Sequence, residues 1–236
     1  MIRWRDPGGG SARRREAAAR RAPAGPLRDH LAVPPPSPDT PVAELPLLAL
    51  DLETTGLDAG SDRIVAMAWV PVDGPAVDLG GARRLVVAAD AGVGESATVH
   101  GLTDDAVAAG QPEADALTEL LAALTGRVLL AHHVSIETTF LAAACDRVFA
   151  APFATTCVDT LDLQRRVLAG ALGTGPEPRA GELRLHTSRE RFGLPRYRPH
   201  DPLADALGCA ELYLAQVAEL AERARRPLTL KTIRAR

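Results

Sequence analysis

The run Leu47 to Leu50 is continuously apolar, as in a central strand buried on both faces. It leads into Asp51-Leu-Glu-Thr-Thr-Gly56, where two acids flank an apolar residue. Side chains alternate along a strand, so residues two apart share a face. Asp51 and Glu53 are therefore expected to project together at the strand's end, just before a turn. Arg63 to Val70 and Arg83 to Val87 read as two further strands, with turn chemistry at Pro71 to Gly74 between them. Short connectors make these three strands an antiparallel start. The period then becomes helical over Asp104 to Ala109 and Glu113 to Leu124. Val128 to Ala131 is a short apolar strand, and Ser135 to Cys145 a helix with Phe140 and Leu141 on its apolar face. Val158 ends another short strand, and Asp159 to Leu168 and Leu203 to Arg223 are further helices. Strands first, then helices alternating with strands, predict an α/β domain with a mixed central sheet and helices on both faces.

The ends read differently. Ser11 to Arg21 is a basic stretch of helix formers with Ser11 as its cap, stopped by Pro23 and Pro26. Leu27 to Val33 is expected to pack one apolar turn on the domain, and Pro34 to Pro41 to form an extended linker. This divides the chain into a basic, partly disordered extension (1–41), a domain (42–222) and a basic tail (223–236). The 236 residues suit one ordinary domain with such extensions.

Composition changes the picture in three ways. Aromatics are only 3% against 46% apolar overall, so the core must rest on Leu, Val and Ala. The net charge of −3 hides an uneven distribution: residues 1–36 and 221–236 are each +5, which leaves −13 for the middle. An acidic middle repels a polyanion unless bound cations and basic flanks offset it. No run approaches the roughly 18 apolar residues of a membrane span, and the N-terminus lacks an apolar signal core. Cys145, Cys157 and Cys209 are widely spaced, without metal-type spacing, and read as buried thiols of a cytoplasmic protein.

Two adjacent carboxylates repel unless a cation neutralises them, and hard oxygen ligands suit Mg²⁺ or Mn²⁺. At this point the chain resembles a known family. Asp51 to Leu57 is similar to the first motif of the DnaQ-like (DEDDh) 3′–5′ exonucleases, which include the proofreading epsilon subunit of bacterial replicative polymerase. The resemblance runs over roughly Leu45 to Leu220 and implies a ribonuclease H-like fold. Leu130-Ala-His-His-Val-Ser-Ile-Glu137 resembles the second motif, usually Ala-His-Asn-Ala-x-Phe-Asp. Here His133 stands for the Asn, Ile136 for the Phe and Glu137 for the Asp. Glu keeps the charge but adds a methylene.

The third motif lies in Tyr197 to Ala206 and fits two branches, His200 with Asp205 or Tyr197 with Asp201. Helix logic separates them. Asp201 before Pro202 is a natural N-cap with proline at the first helical position, which sets Asp205 one turn inside. Ala206, Gly208 and Ala210 are expected to let this helix pack closely on the first strand. Asp159 before Thr160 likewise reads as a cap.

By the resemblance, Asp51, Glu53, Glu137 and Asp205 hold two divalent ions, and His200 is the general base. Backbone amides at Thr54 and Thr55, with His100 and Glu95, contact the terminal nucleotide. The implied activity is release of 5′-mononucleotides from the 3′ end of single-stranded DNA in proofreading or repair, with a DNA polymerase as a possible partner. Three other readings stay open: RNA trimming, a small-nucleotide phosphoesterase, and an attenuated nucleic-acid-binding module.

Overall fold

A computed structural model describes residues 12–88, 104–170, 177–179 and 181–235. The strands are β1 (Pro46–Thr54), β2 (Ile64–Asp73), β3 (Ala76–Val77), β4 (Arg83–Val86), β5 (Val128–Ala131) and β6 (Cys157–Asp159). The helices are α1 (Ala12–Arg21), α2 (Pro26–Ala32), α3 (Asp104–Ala108), α4 (Glu113–Leu124) and α5 (Ser135–Phe149). They continue with α6 (Thr160–Ala169), α7 (Leu185–Arg191), α8 (Pro202–Arg223) and α9 (Leu230–Ile233).

The sheet runs β3-β2-β1-β5-β6, with β4 also on β2. β1 pairs antiparallel with β2 and parallel with β5, and β5 pairs parallel with β6. This is the mixed α/β sheet with an antiparallel start that the pattern predicts. Period-two alternation sorts β1 between two cores. Leu48, Leu50 and Leu52 face Leu117, Leu120 and Phe140 of α4 and α5. Leu47 and Ala49 face Leu163, Ala210 and Tyr213 of α6 and α8. Asp51 and Glu53 continue the second series, so the strand aims both acids toward the α8 side.

Three details differ from expectation. The turn expected at Pro71 begins later, because β2 runs through Asp73. Pro71 falls between the β4 ladder, which ends at Trp69, and the β3 ladder, which starts at Val72. A missing amide is tolerated in such a gap. Helix α7 lies in a stretch that carries little apolar pattern.

The third difference is that the described parts of α1 and of the C-terminal segment also pack on the domain, beside the apolar turn at Leu27 to Val33 that is expected to do so. Ala18, Ala22, Leu27 and Leu31 bury against Leu121, Cys145 and Ala151. The buried Arg15 guanidinium donates to the carbonyls of Leu31, His30, Val33 and Ala154 and so ties α1 to α2 and to the chain after α5. At the other end, Leu230 and Ile233 enter the core and the Ala235 amide donates to the Cys157 carbonyl along the β6 edge. Net basic charge masks these few apolar positions when the sequence is read.

Candidate active site

β1 delivers Asp51 and Glu53, and the first turn of α8 delivers Asp205. A carboxylate oxygen from each lies within 4.8 Å of the others. Asp201 makes this possible: its side chain accepts from the Leu203 and Ala204 amides, at 3.0 and 3.2 Å, and so fixes the helix start. The Asp205 carboxylate accepts from the His200 backbone amide at 2.9 Å. His200 holds a left-handed φ of 62°, uncommon for a residue with a side chain, and its exposed imidazole lies beside Asp205.

Electrostatics favour a bound cation. Burial, with the charges of Glu137, Glu53 and Asp205, pushes the Asp51 carboxyl well above the usual carboxylate range. Burial, then Asp205 and Asp201, raises Glu53 to about 8, with Arg84 pulling the other way. Asp205 is raised mainly by burial, against the His200 amide bond. Three acids at one point, each raised by burial and by neighbouring acids, are destabilised as anions unless a metal neutralises them. The donor set is all carboxylate oxygen, which fits a hard divalent ion.

Glu137 is positioned differently from the other three. It lies in the first turn of α5, is 5% exposed, and falls outside the 4.8 Å group. Its charge reaches Asp51, yet its Oε2 is buried with no hydrogen-bond partner. Burial, then Asp159, raises it to about 8. An orphaned buried carboxylate oxygen beside Asp51 is the feature a second ion would satisfy.

The second motif is held by Asp159, which does more than cap α6. It accepts from the Leu161, His133 and Val134 amides. His133 has a left-handed φ of 74°, a conformation that Asn, the usual residue of the resembled motif, also tolerates. His132 is half-buried and held between the Thr160 hydroxyl at 2.8 Å and the Leu183 carbonyl at 2.7 Å. A carbonyl only accepts, so Nε2 carries the proton and Nδ1 accepts from Thr160. Burial lowers this imidazole to about 4, which keeps it neutral.

The turn after β1 is closed on itself. The Thr55 amide donates to the Arg63 carbonyl at 2.9 Å, and its hydroxyl donates to Asp62 at 2.9 Å. The Thr55 amide expected to face a nucleotide is therefore engaged within the turn. Thr54 donates its hydroxyl to the Gly56 carbonyl. A side chain at Gly56 would lie 2.5 Å from Asp62 Oδ2, so the close approach requires glycine. Glu95 and His100 lie outside the described residues.

Tyr197, the alternative to His200, donates to Glu211 at 2.8 Å. The same Glu211 accepts from Arg189, whose buried guanidinium also donates to the Gly208 and Pro195 carbonyls and sits 4.6 Å from the Tyr197 ring centre. Gly208 thus makes room for Arg189 rather than for β1. Neither Arg189 nor Asp62 stands out in the sequence. Asp62 follows a Gly-Ser turn, a usable signal, whereas Arg189 is one of two arginines on a short helix. Arg189→Ala removes one donor each from the half-buried Glu211 carboxylate and from the Gly208 and Pro195 carbonyls. It is expected to lower stability by about 1–3 kcal/mol in urea unfolding.

A family model described as Exonuclease matches residues 48–213, and these residues include all four acids and His200. The chain belongs to the exonuclease family. It is a DnaQ-like 3′–5′ exonuclease by sequence kinship. The exonuclease is 27% identical over 174 residues to DNA polymerase III subunit epsilon of Treponema pallidum, covering 74% of this chain and 77% of that one. It is 24% identical to the PolC-type DNA polymerase III of Thermotoga maritima over 75% of its length, but spans only 12% of that relative. Among solved structures, Exonuclease I of E. coli in complex with a dT13 oligonucleotide shares the fold, with TM-score 0.63 and 20% identity. That match covers 76% of this exonuclease and 41% of Exonuclease I. No helix among the described residues is long and apolar enough to cross a membrane.

Proposed function

We propose that this exonuclease removes 5′-mononucleotides from the 3′ end of single-stranded DNA, in proofreading or repair, with two bound Mg²⁺ or Mn²⁺ ions. The observation that carries the reading is the convergence of Asp51, Glu53 and Asp205 within 4.8 Å from two elements far apart in sequence. Kinship to a polymerase III epsilon subunit, and a fold shared with an exonuclease crystallised on dT13, support DNA as the substrate and a polymerase as partner. Three buried, unpaired cysteines fit a cytoplasmic setting.

Asp51, Glu53 and Asp205, with Glu137 beside Asp51, would hold the ions. When bound, such ions lower the pKa of a water and offset charge on the scissile phosphate. His200 takes the proton from the attacking water at an imidazole nitrogen. Asp205 positions it through the His200 amide, where the backbone is left-handed. Asp159 holds the turn that leads into Glu137, and the Thr54–Gly56 turn shapes the floor for the terminal nucleotide.

Product analysis tests the reading. Nucleoside 5′-monophosphates from DNA, at a higher rate than from the matching RNA, are expected. Release of 3′-monophosphates or internal fragments contradicts the mechanism, and faster RNA cleavage moves the enzyme to RNA trimming. The orphaned Oε2 of Glu137 favours one second reading, a weakened nuclease that acts chiefly by binding. Glu137→Asp decides between them. If Glu serves as it stands, the rate changes by less than about tenfold, whereas a larger gain identifies an attenuated site.

A further inference from the structure

A cavity of about 830 Å³ opens beside Asp51 and Asp205, and the mechanism above leaves one of its walls without a task. That wall is the strap from Gly181 to Arg184 together with Leu185 and His186 of the first turn of α7. The strap is tied down at Leu183, whose carbonyl accepts from His132 Nε2 at 2.7 Å. The next residue, Arg184, lines the cavity and is exposed, as is His186.

The cations around the cavity are not equivalent. Arg189 is committed to Glu211, and Arg196 to Glu190. Arg184 and His186 have no side-chain hydrogen bond or ion pair among the described residues. In a chain whose middle is strongly acidic, an uncommitted arginine lining the same cavity as Asp51 and Asp205 is a place where a polyanion is favoured. Its planar donors match phosphate oxygens. Ile136, Leu183, Leu185 and Leu194 line the same space and offer apolar surface to bases.

We propose that this strap binds the DNA strand immediately 5′ of the scissile linkage, with Arg184 on a backbone phosphate and His186 beside it. His132 is then a positioning residue: its bond to the Leu183 carbonyl fixes the strap that carries Arg184. The proposal rests on the exonuclease reading and adds to it the part of the substrate beyond the terminal nucleotide.

The test compares two substrates under steady state. One is the p-nitrophenyl ester of thymidine 5′-monophosphate, which has no upstream strand, and the other is a dT decamer. Arg184→Ala is expected to raise KM for the decamer about tenfold more than for the ester, as for loss of one charge-assisted contact. The slope of log KM against log salt for the decamer should fall by about 0.7, one phosphate contact on a single strand. Arg184→Lys should restore the salt slope and part of the KM. Equal changes on both substrates, or an unaltered salt slope, overturn the proposal. A wild-type protein that hydrolyses neither substrate refutes the exonuclease reading instead. The Arg184 contact is then read from fluorescence anisotropy of a labelled dT decamer in the same salt series. A slope reduced by about 0.7 supports it and an unchanged slope overturns it.

Discussion

Asp51→Asn is expected to abolish hydrolysis and, in the metal-free protein, to raise the melting temperature. The two effects share one cause. Asp51 is half-buried among Glu137, Glu53 and Asp205, whose charges oppose its ionisation. Without metal this crowding destabilises the fold, so a neutral near-isostere relieves it. In a chain of this size each kcal/mol relieved moves Tm by about 2–4 °C. Loss of a metal ligand removes several kcal/mol of transition-state stabilisation, roughly a thousandfold or more in rate.

The pH dependence of stability follows with a definite sign. Glu53 and Glu137 titrate at about 8 in the fold, against 4.5 ordinarily. Between those values the folded state holds more protons than the unfolded one, so stability falls as pH rises. Metal binding needs the deprotonated acids and strengthens over the same range. Calorimetry without metal should show Tm declining from pH 5 to pH 8, and the gain on adding Mn²⁺ should grow over the same interval. In Asp51→Asn that gain should shrink sharply. A flat Tm in wild type would mean the carboxylates are not crowded as described.

The second large effect belongs to His200. His200→Ala should lower kcat by about 10²–10⁴, the range of general acid–base catalysis, while the metal-induced rise in Tm persists. Tyr197→Phe removes only a hydroxyl bonded to Glu211 and should keep turnover within about tenfold of wild type. The comparison is decisive because both residues precede acids at spacings that suit an exonuclease. A dead Tyr197→Phe beside an active His200→Ala would reverse the assignment.

Much of this arrangement is legible in the chain because it depends on backbone periodicity. The apolar run before Asp51 fixes a buried strand, and its alternation puts Asp51 and Glu53 on one face. The Asp201-Pro202 pair marks the start of α8 and thereby the level of Asp205. What escapes the sequence is set by side-chain reach and by contacts between distant segments. Glu137 occupies its motif position, yet its longer side chain lies outside the tight group of three acids. The Thr55 amide is taken by Arg63, eight residues on, through a turn closure that no spacing announces. Helix α7 has few apolar positions and is anchored by Arg189, a residue type usually found at the surface. The described ends pack through isolated residues such as Arg15 and Leu230, which composition averages away.

The most direct measurement of the central claim is cleavage of a 5′-labelled single-stranded DNA oligonucleotide with Mg²⁺, with Mn²⁺ and with chelator, beside Asp51→Asn. The account predicts a ladder that shortens one nucleotide at a time from the 3′ end, appears only with metal, and is absent in the variant. Folded wild-type protein that leaves the DNA intact with either metal, or a ladder that Asp51→Asn still produces, would contradict it.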